Sequence, residues 1–381
     1  PITGKLDYSK YKGKYLSWAF AYTTNDVVRI ALDSRSQGQI INDYNKLYGT
    51  DYVDIVDVWA YKDDDFSNRA TNNNITKAYI ELTQANYKSR IDEVLQWYPN
   101  CTELYLFEDG SVTNLADLLF AGNKVSGKKV TKVVFMEDNF NNVVNMQTAF
   151  RECPKLQIVE NLPKSTKNLI GTFDNCRSLN QQFDLSEFNL MENNLNNIWR
   201  WCNSLTYTPI LPTNYRGSLA SAFQGTKIKT APVLPDGVTS LYLSFNNCPN
   251  LITVGNIPSK CISYQQAFEG CSELVSVPET GWSGEMRGCF HNCRKLNQKI
   301  DVSKASWLSS TFDGCSSLAI TPILPTRMDG SMENTFYNCS SLVTPSTTPE
   351  RVTTMKSCYY GCTSLTSAPN IPNSVTNILN I

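Results

Sequence analysis

Thirteen cysteines, one histidine, a Trp199-Arg200-Trp201 string and acidic runs at Asp51, Asp54, Asp57 and Asp63 to Asp65 are the residues of this 381-residue chain whose types invite chemistry. The cysteines raise zinc or disulfides, but no Cys-x-x-Cys pair occurs, which argues against a zinc knuckle. His291 stands alone, so multi-histidine metal sites are excluded within one chain and Ser-His-Asp or Cys-His catalysis would hang on a single residue. Its place in Phe290-His291-Asn292-Cys293 is taken elsewhere by Arg151, Asp174, Asn246 and Glu269, as a variable surface slot would be. The acidic runs lack the Asp-x-Asp-x-Asp-Gly loop with a distal glutamate that calcium needs, and read as solvated loops. No catalytic residue, metal ligand or cofactor site is therefore expected. Trp201 and Arg200 fall at exposed positions, and Tyr207 faces the strand side. These three are the candidate contacts for a sugar ring or a protein partner.

The cysteines reveal what must position them. Aligned on aromatic-x-x-Cys-x-x-Leu, Cys101, Cys153, Cys176, Cys202, Cys248, Cys271, Cys293, Cys315, Cys339 and Cys362 fall one per repeat. Degenerate copies at Phe120/Asn123/Val125 and Phe223/Thr226/Ile228 fill the gaps, and most steps are 22 to 26 residues. A unit this short cannot enclose a core, so it must stack on its neighbours. The fold expected is α/β, a right-handed solenoid of repeats of about 23 residues, the leucine-rich-repeat length. Each unit pairs a short strand after the motif leucine with a helical or 3₁₀ return. Ladder side chains point in parallel, so adjacent cysteines about 4.8 Å apart are poorly aimed for disulfides and read as buried thiols, each a small apolar filler. Cys289 and Cys358 stand where Ala149, Ala222 and Ala267 stand in other repeats.

The solenoid is expected over 51–381, with clear cysteine repeats from 98. Tyr87, Ile91, Val94, Leu95 and Tyr98 have helical spacing, while Ala78/Ile80/Leu82, Leu104/Leu106 and 130 to 135 read as strands. Residues 1–50 match no repeat and are expected to cap or dock the array, since an end turn needs a cover. Ile371 to Thr376 open a further turn that stops at Ile381, and Ser374 to Ile381 are expected to pair end to end with another chain or with a removed continuation. Basic and acidic residues balance at 34 and 35, giving no field to gather nucleic acid. No window is long and apolar enough to enter a membrane, and no signal peptide is visible.

A longer period lies above the first. Ser204 to Thr213 recurs at Ser317 to Thr326, and Leu179 to Ser186 at Leu296 to Ser303, as though five repeats were copied together. Such growth extends a surface, which favours binding over catalysis.

Tyr359-x-x-Cys362-x-x-Leu365 followed by Ile371-Pro372-x-x-Val375-Thr376 resembles BspA-like leucine-rich repeats of bacterial and phage surface proteins, over roughly 98 to 381. The resemblance implies adhesion or recognition without catalysis. The expected function is a non-enzymatic, adhesin-like interaction scaffold, binding a protein or glycan on a cell surface through its repeats. The alternative is a structural or host-recognition component of a bacteriophage virion, docked through its N-terminal region onto neighbouring subunits. The location expected is extracellular, on a cell surface or virion.

Overall fold

The computed structural model describes residues 71–381 apart from 72, 121, 123, 124, 137 and 138, together with the strands Ala19–Ala21 (β1), Val28–Ile30 (β2) and Asp57–Ala60 (β3). β1 and β2 pair antiparallel. Apart from them, the expected cap or docking region at 1–50 lies outside the described residues, as do Asp51, Asp54 and Asp63 to Asp65.

From β3 onward the described residues form a solenoid. Lys77–Leu82 (β4), Glu103–Glu108 (β5), Lys132–Phe135 (β6) and Ile158–Glu160 (β7) extend β3 into a five-stranded parallel sheet. Alternation fixes its register: Ala78, Leu104, Val133 and Val159 are paired across the sheet and buried. On the opposite face Tyr79 and Tyr105 stack at 4.7 Å. Parallel neighbours need a crossover, and between β4 and β5 it is the helix Arg90–Trp97 (α1), which buries Ile91, Val94 and Leu95 at the spacing of one helical face. A five-residue helix, Val125–Lys129 (α2), follows β5.

After Glu160 the strands following the motif leucines shrink to isolated bridges such as Thr230 to Thr253 to Ser276. Side-chain amides take over the missing backbone pairing. Val159 N donates to Gln181 Oε1 at 2.7 Å, and Gln181 Nε2 donates to Val159 O at 2.8 Å. Gln298 does the same for Val277, and Asn256 for Leu234. The twice-occurring Leu-Asn-Gln string thus inserts a side-chain substitute for one strand residue. A second parallel ladder runs ahead of the aromatics. It contains Arg216–Ser218 (β8) with Gly237–Ser240 (β9), Ser283–Glu285 (β10) with Lys304–Trp307 (β11), and Arg327–Ser331 (β12) with Glu350–Thr354 (β13).

The return segments correct the helical or 3₁₀ expectation. Among the described residues helix is confined to α1 and α2; elsewhere the return is a run of tight turns in which alternate N–H groups bond to the next repeat. Met146, Thr148, Phe150 and Glu152 donate across to Asn168, Ile170, Thr172 and Asp174, while Ala149, Arg151 and Cys153 donate back three residues. Left-handed residues at Thr148 (φ 53°) and Glu152 (φ 60°) turn every second amide outward. A helix would consume those amides internally. The three-residue step from aromatic to cysteine is therefore a β-turn, which shares its spacing with a helical turn.

Candidate interaction surface

Two ladders seal the interior. Phe150, Phe173, Trp199, Phe223, Phe245, Phe268, Phe290, Phe312, Phe336 and Tyr359 form a buried spine, with Phe223 and Phe245 stacked at 5.0 Å and Phe312 and Phe336 at 5.6 Å. Phe183 is inserted between Phe173 and Trp199 at 4.9 and 5.5 Å. All thirteen cysteines are buried thiols. They do more than fill space. From Cys153 onward each ladder thiol donates to the carbonyl at the aromatic position one turn earlier, as in Cys176 to Phe150 O at 2.9 Å, Cys271 to Phe245 O at 3.1 Å and Cys362 to Phe336 O at 3.0 Å. From Phe150 onward that carbonyl also accepts the N–H three residues on in its own turn, a motif cysteine or, at Phe223, Thr226, so both lone pairs are used. Burial pushes the thiols up, Cys248 and Cys362 to about 11. Cys101 stands outside this ladder, 3.6 Å from Glu103 O.

One aromatic assignment shifts. Cys153 donates to Leu119 O at 3.1 Å, and Leu119 N donates to Ala149 O. Leu119 therefore holds the aromatic slot, and Phe120 is displaced one residue outward, where the Arg151 guanidinium lies 5.2 Å from its ring.

The slot after each aromatic forms a polar ladder along the outside of the turns. Arg200 grips Asp174 with both prongs, Nε to Oδ1 at 2.9 Å and Nη2 to Oδ2 at 2.7 Å. Arg151 Nε approaches the same carboxylate at 3.3 Å, without hydrogen-bond geometry. Further along, Gln224 donates to Asn246 and Asn246 to Glu269, at 3.1 and 3.2 Å. His291 lies between two carboxylates, Nδ1 3.2 Å from Glu269 and Nε2 3.7 Å from Asp313. The hydrogen bond that His291 donates to Glu269 raises the imidazole above its usual value and lowers the Glu269 carboxyl, whereas burial raises Asp313. Tyr337 and Tyr360 end the ladder, stacked at 5.2 Å.

The next slot is not freely variable. Its backbone is left-handed in every turn from Glu152 to Gly361, and it holds Asn or Gly except at Glu152 and Trp201. Trp201 has φ 57°, a conformation costing a bulky residue about 1–3 kcal/mol. Its indole covers Gly225, where a Cβ would lie 2.2 Å from the ring. Trp201 and Arg200 share a shallow depression of about 380 Å³ with Arg151, Asp174 and Arg177. Tyr207, 51% exposed, lines a different depression with Ile158, Glu160 and Gln182. The three candidate contacts thus fall into two places. The Gln surrogates and the thiol donors were missed from sequence; the recurrence of Leu-Asn-Gln in both copied blocks was the available signal for the former.

Among the described residues no helix is long and apolar enough to cross a membrane, and no group of three His, Cys, Asp or Glu side chains is gathered as a metal set would be.

Stacked short parallel strands, a leucine and aromatic interior and turn-like returns define a leucine-rich-repeat solenoid. More particularly, the chain belongs to the BspA-type leucine-rich-repeat family, whose repeat region matches residues 126–252, 196–316 and 286–380, more than half of the sequence. Similar solved structures include a leucine-rich cell surface protein from Faecalibacterium prausnitzii, 17% identical over 94% of this chain and 95% of that one with a TM-score of 0.44. Another is a leucine-rich-repeat protein from Bacteroides ovatus, 20% identical over 70% of this chain and 78% of that one with a TM-score of 0.42. No functionally curated protein matches the chain.

Proposed function

We propose that the protein is a non-enzymatic interaction scaffold of adhesin type, which engages a protein on a cell surface along the side of the solenoid that follows the motif leucines. A repeat-based interaction scaffold is the role that fits the family. The observation that carries this reading is a row of exposed apolar side chains at one of the two positions after six motif leucines, Ile158, Tyr207, Ile252, Val275, Ile320 and Val343, interrupted by the polar turns at Asn180-Gln181, Lys229-Thr230 and Asn297-Gln298. Single exposed hydrophobics are ordinary, but a row repeated along one side marks contact surface. Ile252 and Val275 lie on adjacent turns, joined by the bond from Val275 N to Ile252 O at 3.0 Å. Nothing among the described residues favours the virion role over this one. The test is surface plasmon resonance of the full chain against immobilised cell-surface proteins and glycans. The expected result is a protein ligand whose Kd rises at least about tenfold in the Ile252→Asp/Val275→Asp double variant, comparable to losing one interface anchor. A ligand bound equally well by that variant overturns the assignment of this side.

A further inference from the structure

The polar ladder outside the turns has an internal symmetry unlike that of the copied blocks. The ladder's ten slots before Tyr360 read, in chain order, Phe120, Arg151, Asp174, Arg200, Gln224, Asn246, Glu269, His291, Asp313, Tyr337. Reversed, the same row sets Arg151 against Asp313, Asp174 against His291, Arg200 against Glu269, Gln224 against Asn246 and Phe120 against Tyr337. Every charged slot faces an opposite or protonatable one, the amides face each other, and an aromatic faces an aromatic.

We propose that this face is an isologous contact surface whose partner is a second copy of the chain, laid antiparallel about a twofold axis between Gln224 and Asn246. An isologous interface requires that when residue i meets j, j also meets i, and the ladder meets that condition at each slot. In the left-handed slot beside it Trp201 falls opposite Gly270, Glu152 opposite Gly314 and Asn247 opposite Gly225, glycines that lie under Asn247, Asn292 and Trp201 of their own chain, so the bulky residues meet those covering side chains. Asn175 faces Asn292. Four of the charged groups are partly exposed, Arg151, Arg200, His291 and Glu269 side chains at 38%, 34%, 32% and 23%, whereas Asp313 at 17% is more withdrawn and Asp174, at 5%, is held between its arginines.

Charge complementarity is the motive. The Arg151–Asp174–Arg200 end carries net positive charge. The Glu269–His291–Asp313 end is negative whether or not the imidazole is protonated. Parallel stacking of two copies in register would set like ends together. Nine steps at the ~4.8 Å spacing of neighbouring strands make the row about 43 Å long. Together with the flanking left-handed slot, such a strip is near the lower size of a specific interface, about 1,000 Å² in total. The contact is accordingly weak, steered by charge and dispersed by salt. It uses a different face from the apolar row and stands or falls independently of the proposed ligand contact.

Sedimentation velocity on the full chain at about 100 µM is the test, with charge reversals expected to weaken association about tenfold or more. A dimer is expected at low ionic strength and a monomer in about 0.5 M salt, where screening is strong. Arg200→Glu and Glu269→Arg should each be monomeric, because each homodimer would carry two like-charge pairs. Mixing the two variants should restore the dimer, since both cross pairs are then opposite in sign, and the doubly reversed chain should dimerise alone. Arg151→Glu and Asp313→Lys give the same pattern through the flanking pair if circular dichroism shows that reversal at Arg200 unfolds its turn. A wild-type chain that stays monomeric at low salt, a dimer indifferent to these reversals, or two variants that fail to rescue each other would overturn the proposal.

Discussion

Phe150, Phe173 and Trp199 stand where Phe268, Phe290 and Phe312 stand five turns later, and Cys153, Cys176 and Cys202 where Cys271, Cys293 and Cys315 stand. Yet the residue after each aromatic has changed from Arg151, Asp174 and Arg200 to Glu269, His291 and Asp313. The interior position touches a ring above and below, so its size is held from both directions. The outer slot is held only sideways, and what it preserves is a neutralising partner on the next turn, whatever the sign. Two copies of one scaffold thus keep their packing and invert their field.

The largest effect should come from what the copies share. Phe173→Ala and Phe290→Ala each remove a fully buried ring and should cost about 3–5 kcal/mol in urea unfolding followed by circular dichroism. Losses differing by more than about 2 kcal/mol would show that the two interiors are not equivalent.

The outer slots should then separate the copies. Asp174→Ala leaves two partly exposed arginines without the carboxylate they share, a loss of about 2 kcal/mol, below that of a fully buried pair. Asp313→Ala, whose partner His291 is 3.7 Å away, should cost under about 1 kcal/mol at neutral pH by the same measurement. Equal losses would mean that the Arg151–Asp174–Arg200 cluster has no greater structural weight than its counterpart.

The smallest effect is a pH dependence expected of the second copy. His291, facing Glu269, Asp313 and Asn292, has a raised folded value. Its contribution is complete below the usual histidine value of about 6.5 and fades as pH rises through the folded one. Glu269 is lowered, so its share is present above about 4.3 and is lost as pH falls through its own folded value. Asp313, raised by burial, takes some stability away as pH climbs above the usual aspartate range. The ion pairs should therefore count most between about pH 4.3 and 6.5. His291→Gln should lower Tm more at pH 5.5 than at pH 8, by an amount equivalent to under about 1 kcal/mol. A Tm difference independent of pH would remove the imidazole from the ladder's energetics.

The spine and thiol ladder were legible because burial restricts residue type, so Phe, Cys and Leu recur at one spacing. The early strands and α1 were legible for the same reason, through period two and period 3.6. The returns were misread because aromatic-x-x-Cys has the same three-residue step in a β-turn as in a helix, and composition does not reveal which amides face the neighbour. The degenerate copy aligned on Phe120 because it is the aromatic of the pair, whereas Leu119 holds that slot in the structure. The outer ladder was visible as a set of interchangeable residues around His291, but its order acquires meaning only when successive turns are known to touch side by side.

The alternation in the left-handed slot has a consequence for how such an array can change length. Asn247 reaches over Gly270, Asn292 over Gly314 and Asn338 over Gly361, leaving no room for a Cβ on the covered turn. From Trp201 to Gly361 the array therefore has parity: covering and covered turns are different parts, and the smallest interchangeable unit of that stretch is a pair. Removing one turn there would bring two covering side chains, or two bare glycines, into contact, whereas removing two would leave the pattern intact. Before it the alternation does not hold, since Glu152, Asn175 and Trp201 follow one another without a glycine. A five-turn copy is an odd number, so within the alternating stretch it exchanges large and small. The change from Trp201 to Gly314 across the copied blocks is the adjustment that such a frameshift in three dimensions requires, while Asn175 and Asn292 remain alike.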